Sequence, residues 1–290
     1  MRRLAAALML VLGVSPIPAQ TAQCSLCFYG PDNMAFDRRW NLYVTDSDGR
    51  HRSRLLYLSS QGVRLWQWSG FTDAAGAHNG PEGLALDASG DILVTDGGVP
   101  RVLRIAPMAR IIATIGPPAV RFAALGHLAV SPSGRIYVAD SGANAIYAFG
   151  PNGALQSTWR LTRGAPETIA VQPNGNLVIE DWRNRRIVVA GPDGRVRFSF
   201  GGIGRERGRF LSTAGIGVDS TGDIYVADIG EHRIQKFDAR GRFLRVIGSG
   251  LFDKDGPSAV AVSADGTLYS PDGRSILKYT EDGILVARFR

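Results

Sequence analysis

The chain has 290 residues, 44% of them hydrophobic and 20% charged, a composition that supports a large buried core and excludes disordered and collagen-like classes. Thirty-six glycines and fifteen prolines, without collagen periodicity, point to many turns and weigh against a long helical bundle. The formal charge of +7 rests on arginine, since only Lys236, Lys254 and Lys278 are lysines, and an excess of this size does not by itself select nucleic acid or a membrane as partner.

In chain order, Arg2 and Arg3 precede the apolar run 4–14, and Ser15, Pro16, Pro18 and Ala19 follow, which is the layout of a secretory signal. Residues 1–23 are therefore expected to be a signal peptide, cut after Ala19 or Ala22. Its apolar core falls short of the roughly 20 residues a membrane helix needs, and no later stretch is long and uncharged enough to span. The mature chain is expected to be exported, periplasmic or extracellular, and monomeric. Removing 1–23 deletes two arginines and no acid, leaving 31 basic against 26 acidic residues.

Residues 24–30 contain Cys24-Ser-Leu-Cys27, a pair that an oxidising compartment would close into a small disulfide loop. Phe28 stands where haem attachment needs His, and two cysteines alone are too few for a structural zinc site.

The rest of the chain repeats. A strand-like segment ending in Asp recurs six times, at Asn41–Asp46, Asp91–Asp96, Arg135–Asp140, Asn176–Asp181, Asp223–Asp228 and Thr267–Asp272, with the aspartates 50, 44, 41, 47 and 44 residues apart. That period is the length of a four-stranded propeller blade. Glycine turns recur after the inner strands at Gly90, Gly134, Gly175 and Gly266, and again at Gly153, Gly194 and Gly283 between the outer ones, where tight hairpins need positive φ. Each unit's strands are apolar on both faces, so a unit covers itself only by stacking on neighbours around a closed ring. The predicted fold is all-β: a six-bladed β-propeller of four-stranded antiparallel blades filling 31–290, with blades near 31–70, 81–116, 125–160, 166–201, 214–249 and 257–290.

Phe200–Phe210, followed by Ala214–Asp219 and Asp223–Asp228, resembles an NHL repeat, as does Asp181-Trp-Arg-Asn184-Arg-Arg-Ile187. The resemblance implies an NHL-type six-bladed propeller of the bacterial, exported kind. Propellers of this type host both binding and enzymatic roles, so the fold leaves function to the site.

Loops between blades and loops after each second strand share one face, the top. Just before the inner strands stand Asp32, Glu82, Gly126, Glu167, Ala214 and Ser258, positions expected to ring the axial channel. Three carboxylates at one small mouth repel unless protonated, paired or bridged by a cation. The arrangement is similar to the six-bladed gluconolactonase family, which implies a divalent cation, Ca²⁺ by ligand type, held by Asp32, Glu82 and Glu167. A water-filled mouth with solvated acids is the structural alternative. His51, His78, His127 and His232 invite comparison with the peptidylglycine amidating lyase family, but Gly126-His127-Leu128 places His one residue later than that family does. Under the enzymatic reading, a metal-dependent hydrolase or lyase, His127 is the acid or base.

The six marker aspartates are expected to be structural, accepting backbone N–H groups or pairing with Arg101, Arg186 or Arg233. The top face is also rich in arginine, with Arg183, Arg185 and Arg186 beside Trp182. Guanidinium forks suit carboxylate or phosphate. The leading reading is therefore a binding scaffold without catalysis, its partner a protein, a peptide or an anionic cell-envelope polymer. Export argues against nucleic acid.

Overall fold

The computed structural model describes residues 26–48, 52–71, 80–107, 110–116, 118–252 and 255–290. The expected signal peptide, Cys24, His51 and His78 lie outside these residues, so the Cys24–Cys27 disulfide cannot be placed on the structure. Cys27 itself is exposed. Among the described residues no helix is long and apolar enough to cross a membrane.

The chain forms six four-stranded antiparallel sheets, each built from four consecutive strands. Blade 1 comprises β1 (Pro31–Phe36), β2 (Leu42–Ser47), β3 (Ser53–Leu58) and β4 (Arg64–Trp68); blade 2 comprises β5 (Pro81–Leu86), β6 (Ile92–Asp96), β7 (Arg101–Ala106) and β8 (Arg110–Ile115). Blade 3 is β9 (Leu125–Val130), β10 (Ile136–Asp140), β11 (Ala145–Phe149) and β12 (Leu155–Arg160), and blade 4 is β13 (Pro166–Val171), β14 (Leu177–Asp181), β15 (Arg186–Ala190) and β16 (Val196–Gly201). Blade 5 is β17 (Thr213–Val218), β18 (Ile224–Asp228), β19 (Arg233–Phe237) and β20 (Phe243–Ile247); blade 6 is β21 (Ala261–Val262), β22 (Leu268–Asp272), β23 (Ser275–Tyr279) and β24 (Leu285–Phe289). This is a six-bladed propeller.

Strand alternation explains the packing. Successive side chains of a strand point to opposite faces, so in β10 Ile136 and Val138 meet Leu93 and Val102 of blade 2, while Tyr137 and Ala139 meet Ile169 and Ile179 of blade 4. Second strands are buried on both faces, whereas the outer strands expose residues such as Leu65, Ile111, Val196 and Val286. The ring closes without strand exchange. Leu26 and Phe28 pack with Met34, Tyr269 and Ile276 in the seam between the last and first blades, and the Leu26 N–H donates to the Arg290 carbonyl at 3.1 Å.

The inner strands carry the site. Pairing with the second strand slips near the top of β1, β5, β9, β13 and β17, and a bulge of this kind re-aims the side chains beside it. Close approach of the inner strands of blades 2, 3 and 4 also depends on Gly83 and Gly126. A Cβ on Gly83 would come within 2.7 Å of the His127 backbone, and one on Gly126 would collide with the Glu167 carbonyl. Blades 2, 3 and 4 therefore converge as closely as they do because these residues carry no side chain.

Candidate functional site

The channel is a cavity of about 230 Å³ walled by all six blades, with Asn33, Ala85, His127, Thr168, Gly215 and Ala259 among its lining. At its throat the Asn33 amide nitrogen stands 2.9 Å from His127 Nδ1, spanning blades 1 and 3. Asn33 is itself fixed, because its backbone N–H donates to Thr45 Oγ1 at 2.9 Å and its side-chain oxygen accepts from Met34 N at 2.7 Å. With the amide as donor, His127 Nδ1 is the acceptor and the ring proton sits on Nε2. His127 is 7% exposed, and burial pushes its pKa down to about 4, so the ring is neutral at physiological pH.

Above the throat, Asp32 and Glu82 line one mouth together with Ser47, Asp255 and Ser258. Burial raises Asp32 to about 6. Glu82 is raised to about 8 by burial and by the charges of Glu167 and Asp32. Glu167 is raised to about 7 by burial, opposed by the Ser141 hydroxyl and reinforced by Glu180, Asp32 and Asp140. Asp32 and Glu82 line this mouth, and Glu167 stands near enough for its charge to raise Glu82. They do not form a coordination shell: among the described residues no three His, Cys, Asp or Glu side chains could hold a metal ion. The acids come from blades 1, 2 and 4, and Gly126 stands at the matching position of blade 3. The oxygen donors suit a divalent cation by type, but they are not grouped into the shell that the gluconolactonase resemblance implies. Asn33 was not singled out from the sequence, although it stands at the inner-strand position that Gly83, His127 and Thr168 occupy in blades 2, 3 and 4.

The marker aspartates form latches at the top of the blades. In blade 1, Asp46 Oδ1 accepts the N–H groups of Tyr29 and Gly30 at 2.8 and 2.9 Å, while Oδ2 accepts Arg54 Nε at 2.7 Å. In blade 4, Asp181 accepts Ala165 N at 3.0 Å, Asn184 Nδ2 at 2.7 Å and Arg186 Nε at 2.9 Å. In blade 5, Asp228 accepts Leu211 N and Ser212 N at 3.1 and 3.2 Å and pairs with Arg233 at 3.1 Å. Asp140 has no arginine at the matching position and instead accepts three backbone N–H groups, from Ala123, Ala124 and Ala143. Each latch ties the chain entering a blade to the loop leaving its second strand.

The latch of blade 4 holds an arginine and aromatic platform. Asp181 leads into a 3-10 turn over Trp182–Asn184, and Arg185 ends it in the left-handed region at φ 51°. The Arg185 guanidinium lies 5.8 Å from the Trp182 ring centre and donates to the Trp182 carbonyl at 2.7 Å. The next loop joins this cluster, since Gly202 N–H donates to the Arg185 carbonyl at 2.7 Å and Arg209 to the Gly201 carbonyl at 2.8 Å. Trp182 is 38% and Ile203 72% exposed. Arg183 and Arg207 are exposed with no acidic partner among the described residues, whereas Arg186 is held by Asp181 and Arg205 by Glu231 at 2.7 Å. Of the three arginines singled out from the sequence, Arg183 and Arg185 face outward and Arg186 serves the latch. His232 ends the corresponding turn of blade 5 at φ 49°.

Residues 212–237 match the NHL repeat. They cover β17, β18 and β19. The chain is 29% identical over 105 residues, 36% of its length, to the protein brain tumor of Drosophila melanogaster, and 50% identical over 44 residues, 15% of its length, to the B-box type zinc finger protein ncl-1 of Caenorhabditis elegans. The matches span 10% and 5% of those relatives. Among solved structures, a streptogramin B lyase superposes with a TM-score of 0.69 at 14% identity, covering 92% of this chain and 84% of that one. Virginiamycin B lyase from Staphylococcus aureus gives 0.65 at 16%, covering 93% and 85%. A chain from a nidogen/laminin complex gives 0.64 at 19%, covering 82% and 90%. At these identities the likeness establishes the propeller and nothing of its chemistry.

Proposed function

We propose that this chain is an exported NHL-type propeller that binds an acidic surface of a protein or peptide through the top of blades 4 and 5. The observation that carries the reading is the platform of Trp182 and Ile203, exposed on latched loops and rimmed by Arg183, Arg185, Arg207 and Arg209. Trp and Arg dominate interface energetics because they bring large contact area and bidentate charge at modest entropic cost. Rigid loops favour binding further, since less motion is lost on docking. Two facts support the assignment: the NHL repeat match falls on the adjoining blade, and a propeller of similar shape occurs in a protein complex.

The test is retention of the purified chain on immobilised polyglutamate and on an anionic polysaccharide at about 0.15 M salt, where weak surface charges are already screened. Wild type should be retained on polyglutamate, and the Arg183→Glu/Arg185→Glu variant should elute in the void. Equal elution of the two proteins would refute this face as the binding site. Preference for the polysaccharide would transfer the reading to an envelope polymer. Export is part of the same proposal and is checked by the N-terminal residue of protein recovered outside the cytoplasm.

The acid mouth favours a second reading, in which Asp32, Glu82 and Glu167 receive one cationic side chain of the partner. Carboxyls raised toward neutrality release protons when a positive charge arrives. Calorimetric titration with a lysine-rich peptide in buffers of different ionisation enthalpy should therefore report proton release, and an identical heat in every buffer would dismiss the idea.

A further inference from the structure

The position before each marker aspartate does a structural task in blades 1 and 2. Thr45 Oγ1 accepts Asn33 N–H at 2.9 Å, and Thr95 Oγ1 accepts Gly83 N–H at 2.6 Å, so each closes the bulge of its inner strand. Blade 4 places Glu180 there. Its longer side chain reaches past the inner strand into the seam toward blade 5, as strand parity requires: Val178, two residues earlier on β14, packs in that seam with Ile216 and Val226. Thr168 of β13 has the parity of Ala170, which packs against the same cluster.

Glu180 is 1% exposed, Thr168 3% and Thr213 of β17 7%. The two threonine hydroxyls lie beside the carboxylate and partly offset the rise in its pKa that burial causes. Both hydroxyls are within reach of the carboxylate, but neither meets it with hydrogen-bond geometry, and both Glu180 oxygens, Thr168 Oγ1 and Thr213 Oγ1 have no well-aligned hydrogen-bonding partner among the described residues. Four buried oxygens from three side chains of two blades therefore gather at one point of the seam, beside the channel that Thr168 also lines. An uncompensated buried polar group costs free energy, and an uncompensated charge costs far more.

We propose that Glu180, Thr168 and Thr213 form a site for one dehydrated monovalent cation, sodium or potassium, that ties blade 4 to blade 5. The ligand set consists of hard oxygens alone, which suits alkali and alkaline-earth ions and not zinc. One carboxylate balances one positive charge. The neighbouring Asp181 is already spent on Arg186, Asn184 and Ala165, and the nearby Arg185 donates to Trp182 instead.

The experiment is thermal unfolding of the whole chain in sodium, potassium and tetramethylammonium chloride at matched ionic strength, for wild type and Glu180→Gln. An ion that binds only the folded state raises the midpoint by mass action. Sodium or potassium should raise the wild-type midpoint by about 2–4 °C over tetramethylammonium, and Glu180→Gln should erase the difference; whichever ion acts is the occupant. Equal midpoints in the three salts overturn the proposal in favour of a neutral, protonated Glu180. A difference that persists in Glu180→Gln overturns it as well, because the ion then binds elsewhere. Should Glu180→Gln fail to fold, Thr168→Val/Thr213→Val takes its place, with loss of the difference expected and full retention decisive against the site.

Discussion

Asn33 and His127 are 94 residues apart in sequence and joined across the channel by a 2.9 Å hydrogen bond. The bond connects blades 1 and 3 at the one depth where blade 2, with Gly83, presents no side chain between them. It fixes the tautomer of a buried imidazole, and it leaves Nε2–H as the donor available to the channel.

His127 sets an acid limit on stability. Its folded pKa is about 4 against an ordinary value of 6.5, so the neutral ring is favoured in the fold. The resulting stability is complete above about 6.5 and is lost as pH falls toward 4, by roughly 3 kcal/mol at most. Urea unfolding of wild type and His127→Gln between pH 7 and pH 4 should show the gap between them shrinking on acidification. A pH-independent gap would contradict a neutral buried His127.

The mouth acids act in the opposite direction. The folded pKa of Glu82 is raised to about 8, so the fold prefers its protonated form. Its contribution is present below the ordinary carboxyl pKa and is lost as pH rises from about 4.5 through 8. Glu82→Gln keeps the shape and removes the charge, and should raise the melting midpoint at pH 8.5 while leaving it nearly unchanged at pH 4.5. A lower midpoint at pH 8.5 would show that the charged form is compensated in the native state.

The Asp228 latch should dominate the local stability of blade 5. Asp228→Asn loses the ion pair with Arg233 and weakens acceptance from Leu211 and Ser212; breaking a buried pair from one side costs about 3–5 kcal/mol. Asp193 lies on an exposed turn, pairing loosely with Arg195 and Arg197, and Asp193→Asn should change stability by less than about 0.5 kcal/mol. Equilibrium denaturation compares the two, and similar costs would deprive the latch of its special role.

Gly126→Ala should cost about 1–3 kcal/mol by forcing apart the inner strands of blades 3 and 4. Gly90→Ala has open space around the new methyl but a φ of 84°, so its cost, about 1–2 kcal/mol, comes from backbone strain alone. Hydrogen exchange separates the mechanisms: Gly126→Ala should lower protection in β9 and β13, Gly90→Ala only in the hairpin around it.

Period and turn chemistry were enough to specify six four-stranded blades, because a spacing of 41 to 50 residues between strand-ending aspartates, with glycine turns between, has few other ways to bury both faces of every sheet. The structural role of those aspartates was also legible, since an Asp at a strand end has backbone N–H groups and an arginine within reach by local geometry. That Asp32, Glu82 and Glu167 stand at equivalent positions before their inner strands was read from the repeat alone. That those carboxylates make no metal shell among the described residues was visible only in three dimensions. The Asn33–His127 bond, the outward turn of Arg183 and Arg185 beside a latch-bound Arg186, and the burial of Glu180 between blades 4 and 5 were likewise decided only in three dimensions. A repeat fixes what is shared among its copies through local backbone geometry, whereas a site arises where the copies differ, and which differing side chains meet is set by the closed ring.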